Sequence, residues 1–289
     1  MADRERYKDR TRFNPDSIIL MVVSAVIAVG GWSMLSNLSN MPAFILPSPA
    51  EFWQQLIESL ANGSLLYHTR VTLQEVLLGL AFGAGSAILI GYILAKSKTA
   101  EKLLSPYIVA SQSVPVIAIA PLLVIWFGPG IISKVLIASL IVFFPVLVNT
   151  IVGVRAVPDD LHNLMRSLRA TRWQTLRYLE IPAALPVFLG GLRIGATLSV
   201  IGAVVGEFVG SDRGLGFLIN VGRGLYDTAL VFVAVFALIV MAMSLYGLVR
   251  LLETRLLAWQ QQEGSKDTLQ DSTLPADKDP KSKGDSHVG

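Results

Sequence analysis

Long apolar segments alternate with short polar ones along most of the chain. Each apolar segment holds about 20 residues, which as a helix spans the ~30 Å hydrocarbon core of a bilayer. Gly, Pro, Lys, Arg and Asp lie between these segments, as is typical of turns and membrane surfaces. The pattern predicts an all-α membrane protein with six transmembrane helices, at residues 17–36, 71–94, 107–127, 132–154, 188–209 and 229–249.

The polar segment between the first two spans, residues 37–70, contains one amphipathic helix. Ser48 is placed to cap it, Glu51 to complete a capping box and Asn62-Gly63 to end it. Its apolar residues recur at helical spacing: Phe52, Trp53, Leu56, Ile57 and Leu60. The pattern fits a helix that lies on the outer surface of the bilayer, and equally a helix packed within an outer loop.

A second long polar segment, residues 156–187, predicts a short helix outside the hydrocarbon. Polar and charged residues cover one face of this helix, and apolar residues recur on the other. The apolar face consists of Leu161, Leu164, Met165 and Leu168. This helix is too short to span a membrane, and its apolar face predicts a surface on which a cytoplasmic partner docks. A solvated loop whose arginines only follow membrane topology would give a similar pattern.

A second short helix follows in the same interruption. Thr171 is placed as its N-cap and Gln174 as the closing residue of a capping box. Pro182 and Pro186 are predicted to redirect the chain into the next span. We expect residues near the junction of the two helices to join the docking surface: Arg169, Arg172 and Trp173.

Composition and charge support the membrane assignment. The chain is 53% hydrophobic and 16% charged, with a mean hydropathy of +0.57, so it is too apolar for a soluble domain of its size. Lys and Arg concentrate in residues 1–16, just after the second span, in the 156–187 loop and at the end of the last span. The positive-inside rule therefore places both termini on the cytoplasmic side of the membrane. Residues 256–289 lack an apolar run and predict a disordered tail.

The chain offers few groups for catalysis. It has no cysteine and three histidines, so a disulfide or thiolate site is excluded and a histidine metal site is disfavoured. It contains no G-x-x-x-x-G-K-[ST] phosphate loop and no hydrolase motif. The sequence therefore predicts a non-enzymatic chain without a cofactor or metal, and any ATP hydrolysis must belong to another chain.

Three charged residues are predicted at membrane depth, namely Glu75, Arg193 and Glu207, whereas Lys134 at the start of the fourth span is assigned to the outer surface. A charge that faces lipid costs at least ~2.5 kcal/mol, so we expect each to line a translocation path or to form an internal polar anchor. Glu75 and Arg193 lie near span ends and could instead extend to the membrane surface. Pro115 and Pro121 join the same candidate set because they interrupt the third span and free backbone carbonyls.

The 156–187 loop resembles the cytoplasmic EAA loop of bacterial ABC-importer permeases, whose pattern is Glu-Ala-Ala, three residues, Gly, nine residues and Ile-x-Leu-Pro. Leu179-Glu180-Ile181-Pro182 is similar to the end of that pattern. The beginning departs, because Asn163-Leu164-Met165 stands in place of Glu-Ala-Ala and Arg169 in place of Gly. A left-handed turn at a non-Gly residue costs about 1–2 kcal/mol, so either the turn is reshaped or Arg169 has a compensating contact.

The resemblance extends from Leu46 to Glu253, through LPSPAEFW, SVPVIAIAPLLVIWFGPG, FFPVLVNTIVGVRAV, LPVFLGGLRIGATLSVIGAVVGEF and GLGFLI. These motifs look like those of permeases for nitrate, sulfonates, taurine and vitamin precursors. The resemblance implies a type I ABC-importer permease fold, with six transmembrane helices and a cytoplasmic coupling helix. It also implies a homodimer, two cytoplasmic ATPase subunits and an external solute-binding protein.

Within that group the sequence is most similar to permeases for riboflavin and thiamine-pyrimidine precursors, which implies vitamin uptake. Transport of sulfonates, taurine or nitrate by the same machinery is one alternative. An ion-coupled secondary transporter is an alternative of a different class. It is disfavoured because no internal repeat is visible in the sequence.

Overall fold

The computed structural model describes residues 15–38 and 45–257, and these residues are helical apart from short connections. The predicted basic terminus up to residue 14 and the predicted tail from residue 258 lie outside the described residues. The helices in chain order are α1 (Pro15–Leu38), α2 (Pro49–Ala61), α3 (Ser64–Lys96), α4 (Lys98–Gln112), α5 (Val116–Phe127), α6 (Ile131–Arg155), α7 (Asp159–Ser167), α8 (Arg172–Thr175), a π-helical segment (Leu176–Glu180), α9 (Ile181–Gly210), α10 (Leu215–Leu225) and α11 (Thr228–Leu256).

Within the described residues, four helical segments are long and apolar enough to span a membrane: α3, α6, the run from Arg172 to Gly210, and α11. The pair α4 and α5 adds a fifth if it is counted as one broken span. The predicted second, fourth, fifth and sixth spans are therefore confirmed. The predicted first span falls in α1, which is not among the helical segments that meet this criterion within the described residues, so the count of six stays a prediction.

The third predicted span, residues 107–127, is interrupted at Pro115, as predicted. Its chain bends by 92° between α4 and α5. Pro115 is the N-cap of α5, with extended backbone at φ −63° and ψ 117°. Proline has no N–H to continue the helix and disfavours helical backbone in the residue before it, Val114. Pro121 lies inside α5 without a comparable break.

Helix α6 forms the centre of the bundle, packed along α3 on one side and α9 on the other. Small residues allow these close approaches, as is common between membrane helices. A Cβ at Gly83 would lie 2.7 Å from the Ser139 carbonyl oxygen, and one at Gly202 would lie 2.5 Å from the Ala138 Cα. The glycines of α3 and α9 therefore set the helix spacing.

Helix α2 confirms the predicted caps. Ser48 and Glu51 form the capping box, with 2.7 Å between the Ser48 N–H and Glu51 Oε2. Phe52 is buried and packs edge-on against Phe236 of α11. The other apolar residues divide: Leu56 is also buried, whereas Trp53, Ile57 and Leu60 are exposed. One apolar face of α2 therefore packs on the bundle and the neighbouring one is open.

Candidate functional site

Helix α7 presents its apolar face outward from the bundle. Leu161, Leu164 and Leu168 are 40%, 53% and 68% exposed, whereas Met165 is half-buried. Asp159 and Asp160 occupy the first turn, where negative charge stabilises the positive end of the helix dipole. Within the described residues, Leu164 and Leu168 are not covered by the chain's own helix ends. This arrangement leaves an ordered apolar surface available to another protein.

The turn after α7 keeps the left-handed conformation that the Gly of the EAA pattern implies. Arg169 has a φ of +53°. The N–H of Arg169 donates to the Arg166 carbonyl at 2.9 Å, and the N–H of Ala170 donates to the Met165 carbonyl at 3.0 Å. These two bonds form a Schellman motif, which satisfies carbonyls at the helix end. The turn is therefore not reshaped, and within the described residues the Arg169 side chain has no hydrogen bond or ion pair that compensates for the strain.

The second short helix begins as predicted but does not end as predicted. Thr171 and Gln174 form the capping box, with 2.7 Å between the Thr171 N–H and Gln174 Oε1. The chain then continues through the π-helical segment into α9, so Pro182 and Pro186 lie within one helical run instead of redirecting it. The N–H of Ile181 donates to the Leu176 carbonyl, five residues back. This wider turn accommodates a proline at the first turn of α9 without a break.

The end of the loop is anchored to the bundle through Glu180, which is buried. Its carboxylate accepts a hydrogen bond from Lys96 Nζ at 2.6 Å and from the Tyr92 hydroxyl at 3.1 Å, both on α3. His162 Nε2 of α7 lies 3.5 Å from the same carboxylate. One side chain therefore joins α3, α7 and the start of α9.

The beginning of the loop has a second anchor at Arg155, the last residue of α6. Its guanidinium forms two hydrogen bonds of 2.6 Å to the two carboxylate oxygens of Glu101. It also donates to the Leu94 carbonyl at 3.3 Å. A planar guanidinium that binds a carboxylate through two parallel bonds fixes orientation as well as distance. Movement of the loop would therefore be transmitted to α3, α4 and α6.

A buried polar cluster lies at the opposite end of the bundle, where α3 and α6 begin and α9 ends. It contains Thr72, Glu75, Lys134 and Glu207, each at most 2% exposed. Lys134 Nζ lies 3.4 Å from Glu75 Oε1 and donates to Ser211 Oγ at 2.7 Å. The Thr72 hydroxyl donates to Glu207 Oε1 at 2.7 Å. The cluster therefore links three spanning helices.

The same cluster holds the connection between α9 and α10. The Gly216 N–H donates to Glu207 Oε2 at 2.5 Å, and the Leu215 N–H donates to Thr72 Oγ1 at 2.8 Å. Gly214 has a φ of +104°, and a Cβ there would overlap the Glu207 carboxylate. Glycine is therefore required at this position for both conformation and space.

The structure separates the three ionisable residues predicted within the spans. Glu75 and Glu207 come together in the polar cluster, and Glu75 is buried instead of extending to the surface. Arg193 lies elsewhere: it pairs with Glu253 of α11 and lies 5.5 Å from the Tyr246 ring. It too forms an internal pair, partly open at 27% exposure.

Sequence reasoning missed two partners in these sites. Lys134 was not among the predicted site residues, yet it is buried against Glu75. Glu180 was assigned only to the family motif, yet it anchors the loop. Their partners lie far away in sequence, so local patterns carry no signal for them. Pro115 and Pro121 belong neither to the buried polar cluster nor to the anchors of the loop. Both are exposed on the broken helix pair.

Comparisons with known proteins agree with this architecture. Residues 87–258 match the family described as binding-protein-dependent transport system inner membrane component. The riboflavin transport system permease protein of Chloroflexus aurantiacus is 45% identical over 88% of this chain and 95% of its own. The formylaminopyrimidine transport permease protein of Halalkalibacterium halodurans is 34% identical over 80% of this chain and 92% of its own.

Solved structures show the same fold. One chain of the inward-facing MetNI methionine ABC transporter superposes with a TM-score of 0.58 at 18% identity, covering 67% of this chain and 96% of the other. The spanning helices, the polar loop between α6 and α9 and these similarities lead to one conclusion. The chain belongs to the family of binding-protein-dependent transport system inner membrane components and is a membrane-embedded ABC-importer permease for a small solute.

Proposed function

We propose that this chain forms the translocation path of an ATP-driven importer for a vitamin or vitamin precursor, riboflavin or a thiamine pyrimidine. The 45% identical relative named as a riboflavin permease and the 34% identical formylaminopyrimidine permease support this substrate class. A sulfonate, taurine or nitrate substrate is the alternative within the family, since a sulfonate permease of Bacillus subtilis is 33% identical. Family membership gives no support to an ion-coupled transporter.

The observation that carries the proposal is the exposed apolar face of α7 on an anchored loop. We assign Leu161, Leu164, Met165 and Leu168 to a groove on a cytoplasmic ATPase subunit, with Arg169, Arg172 and Trp173 beside them. Trp173 is 64% exposed and extends the apolar surface. Aromatic side chains and arginine are typical of interface centres, which fits this composition. The ATPase would hydrolyse ATP, and this chain would need no cofactor.

The anchors of the loop suggest how force reaches the membrane. When ATP binding brings two ATPase subunits together, the loop moves with them. Glu180 and Arg155 then pull on α3, α4, α6 and α9, so the cavity between two copies of the chain changes the side to which it opens. A loaded external binding protein must bind one of those states better than the other, because otherwise it could not bias the cycle.

The residues within the spans have separate roles in this scheme. Glu75 and Glu207 are enclosed by their own chain, so we assign them to an internal anchor and not to the path. Arg193, partly open, and the exposed Pro115 and Pro121 remain candidates for the path or for the contact between two copies. The Lys and Arg distribution supports an orientation in the bacterial inner membrane with the loop and both termini cytoplasmic.

Uptake into sealed proteoliposomes tests the function. The permease, its ATPase and its binding protein are reconstituted with ATP inside, and radiolabelled riboflavin, thiamine pyrimidine and taurine are offered in turn outside. We expect ATP-dependent uptake of one of the two vitamin compounds and none of taurine. Uptake of taurine alone would overturn the substrate class, and uptake driven by an ion gradient without ATP would overturn the mechanism.

A further inference from the structure

A polar cavity of about 700 Å³ lies beside the 156–187 loop, between the end of α3, the start of α4 and α7. Five Lys and Arg side chains line it, together with the carboxylates of Glu101 and Asp159. The cations are Lys96, Lys98, Lys102, Arg155 and Arg166. The apolar face of α7 is not part of this lining, so the cavity is distinct from the surface assigned to the ATPase.

Two of these cations already have partners. Lys96 binds Glu180 and Arg155 binds Glu101, so these two carboxylates are already paired. In the described part of the chain, Lys98, Lys102 and Arg166 form no ion pair. Lys98 and Lys102 lie one turn apart on α4, and Arg166 lies on α7. Three free cations therefore share a cavity with one unpaired carboxylate, Asp159, and the cavity carries net positive charge.

An apolar groove of about 420 Å³ adjoins this cavity on the membrane side. Val154 lines both, and Glu180, the partner of Lys96, lies at the edge of the groove. The groove runs between α3, α6 and the start of α9, where Leu89, Leu185 and Phe188 line it. Leu89 is 64% exposed, so the groove is open to its surroundings.

We propose that the cavity and the groove together bind one anionic phospholipid, with its phosphate at Lys98, Lys102 and Arg166 and an acyl chain in the groove. Basic pockets between membrane helices at the cytoplasmic face attract anionic headgroups. A free phosphate or an acidic protein segment would fit the cations but leaves the groove at hydrocarbon depth unfilled. One part of this proposal depends on the cytoplasmic orientation proposed above, namely which leaflet of the bilayer supplies the lipid.

Native mass spectrometry of the purified full-length permease tests the site. The protein is equilibrated in neutral detergent with equal amounts of phosphatidylglycerol and phosphatidylcholine of the same acyl chains. We expect wild type to retain phosphatidylglycerol preferentially, and the triple variant K98Q/K102Q/R166Q to lose at least about tenfold of that preference, since each surface cation contributes measurably to anionic lipid binding. The control R250Q/R255Q removes two exposed cations of α11 outside the cavity and should retain it.

A second variant tests the groove. Leu89→Trp narrows the groove without altering a charge, so it should weaken retention of long-chain phosphatidylglycerol and leave a short-chain form unaffected. If the triple variant and the control lost the preference for phosphatidylglycerol equally, the proposed site would be wrong. Complete displacement of the lipid by inorganic phosphate would contradict the lipid proposal, because the cavity would then be an anion site that holds no acyl chain.

Co-purification of the ATPase distinguishes a lipid site from a protein-binding site. If the triple variant lost the co-purifying ATPase while its lipid ratio stayed at the wild-type value, the cavity would belong to the protein interface and the lipid proposal would fail. Because lipid retention is measured on the permease alone, its outcome does not depend on whether riboflavin or another solute is transported.

Discussion

The two ends of the helix bundle hold their polar residues in different surroundings. At the loop end, Lys96 and Arg155 remain 38% and 37% exposed while they bind Glu180 and Glu101. At the opposite end, Lys134 and Glu75 are 3% and 2% exposed. Water can replace a lost partner at the first end but not at the second.

This difference separates a surface that other molecules can approach from a structural core. The loop end combines rehydratable ion pairs with exposed leucines, so it can bind and move with a partner at low cost. The polar cluster at the opposite end encloses its charges, so α3, α6 and α9 are held together there. The comparison predicts that equal chemical changes at the two ends have unequal effects on stability.

The largest loss of stability is expected for Glu207→Ala. The change leaves the buried Gly216 N–H without an acceptor and the Thr72 hydroxyl with only the His68 carbonyl at 3.2 Å, and it leaves Lys134 with one carboxylate fewer nearby. The expected cost is about 3 kcal/mol or more. Thermal unfolding of the purified permease in detergent measures it. Glu58→Ala, at an exposed glutamate of α2, is the matched control and should unfold like wild type. Similar unfolding of both variants would contradict the assigned role of the cluster.

A smaller loss is expected for Gly202→Ala, where the new Cβ would lie 2.5 Å from the Ala138 Cα. Overpacking of this kind costs about 1–3 kcal/mol because the helices must move apart. Gly190→Ala lies in the same helix with nothing within 4 Å and should be neutral. The same unfolding measurement compares the two, and an equal effect would show that α6 and α9 are not in the close contact described.

At the loop end, Glu180→Ala should cost only about 1 kcal/mol, because Lys96 can be rehydrated. The comparison with Glu207→Ala is direct, since both remove a buried carboxylate that accepts two hydrogen bonds. Unfolding of the two variants side by side checks the contrast. If Glu180→Ala were as destabilising as Glu207→Ala, the two ends would not differ in the way proposed.

The smallest expected effect is a gain in stability. Arg169→Gly should stabilise the permease by up to about 1 kcal/mol, because glycine adopts the left-handed turn without a steric penalty. Arg166→Gly, inside α7, is the control and should destabilise by a similar amount. Melting curves of both variants decide the matter: destabilisation by Arg169→Gly would mean that the arginine has a contact that offsets the strain.

Features set by neighbouring residues could be predicted from the sequence. The caps at Ser48 and Thr171 are hydrogen bonds over three residues. The turn at Arg169 is an exception, because the sequence left open a reshaped turn or a compensating contact, whereas the turn is left-handed and, within the described residues, has no side-chain hydrogen bond or ion pair. Spans of continuous apolar residues were also predicted, because the bilayer imposes their length. These are the parts of the fold in which local chemistry has one stable solution.

Features that depend on distant partners could not be predicted. The pairing of Lys134 with Glu75 joins α6 to α3, and that of Glu180 with Lys96 joins the loop to α3. An interruption of the third span was predicted, but not that Pro115 would bend the chain by 92° while Pro121 would stay within a helix, because a proline in an apolar run can kink, end or be accommodated by a helix. The π-helical segment before Pro182 is the case in which the helix absorbs the proline.

The exposed face of α7 is the central claim, and Leu164→Asp tests it most directly. The aspartate would be desolvated against an apolar groove if that face enters the ATPase. Asn163→Asp places the same charge on the neighbouring exposed residue and serves as the control. The measurement is the amount of ATPase that co-purifies per permease, together with the permease level in the membrane. The account predicts that Leu164→Asp leaves the permease level normal and abolishes co-purification, while Asn163→Asp retains it; undiminished co-purification with Leu164→Asp would contradict it.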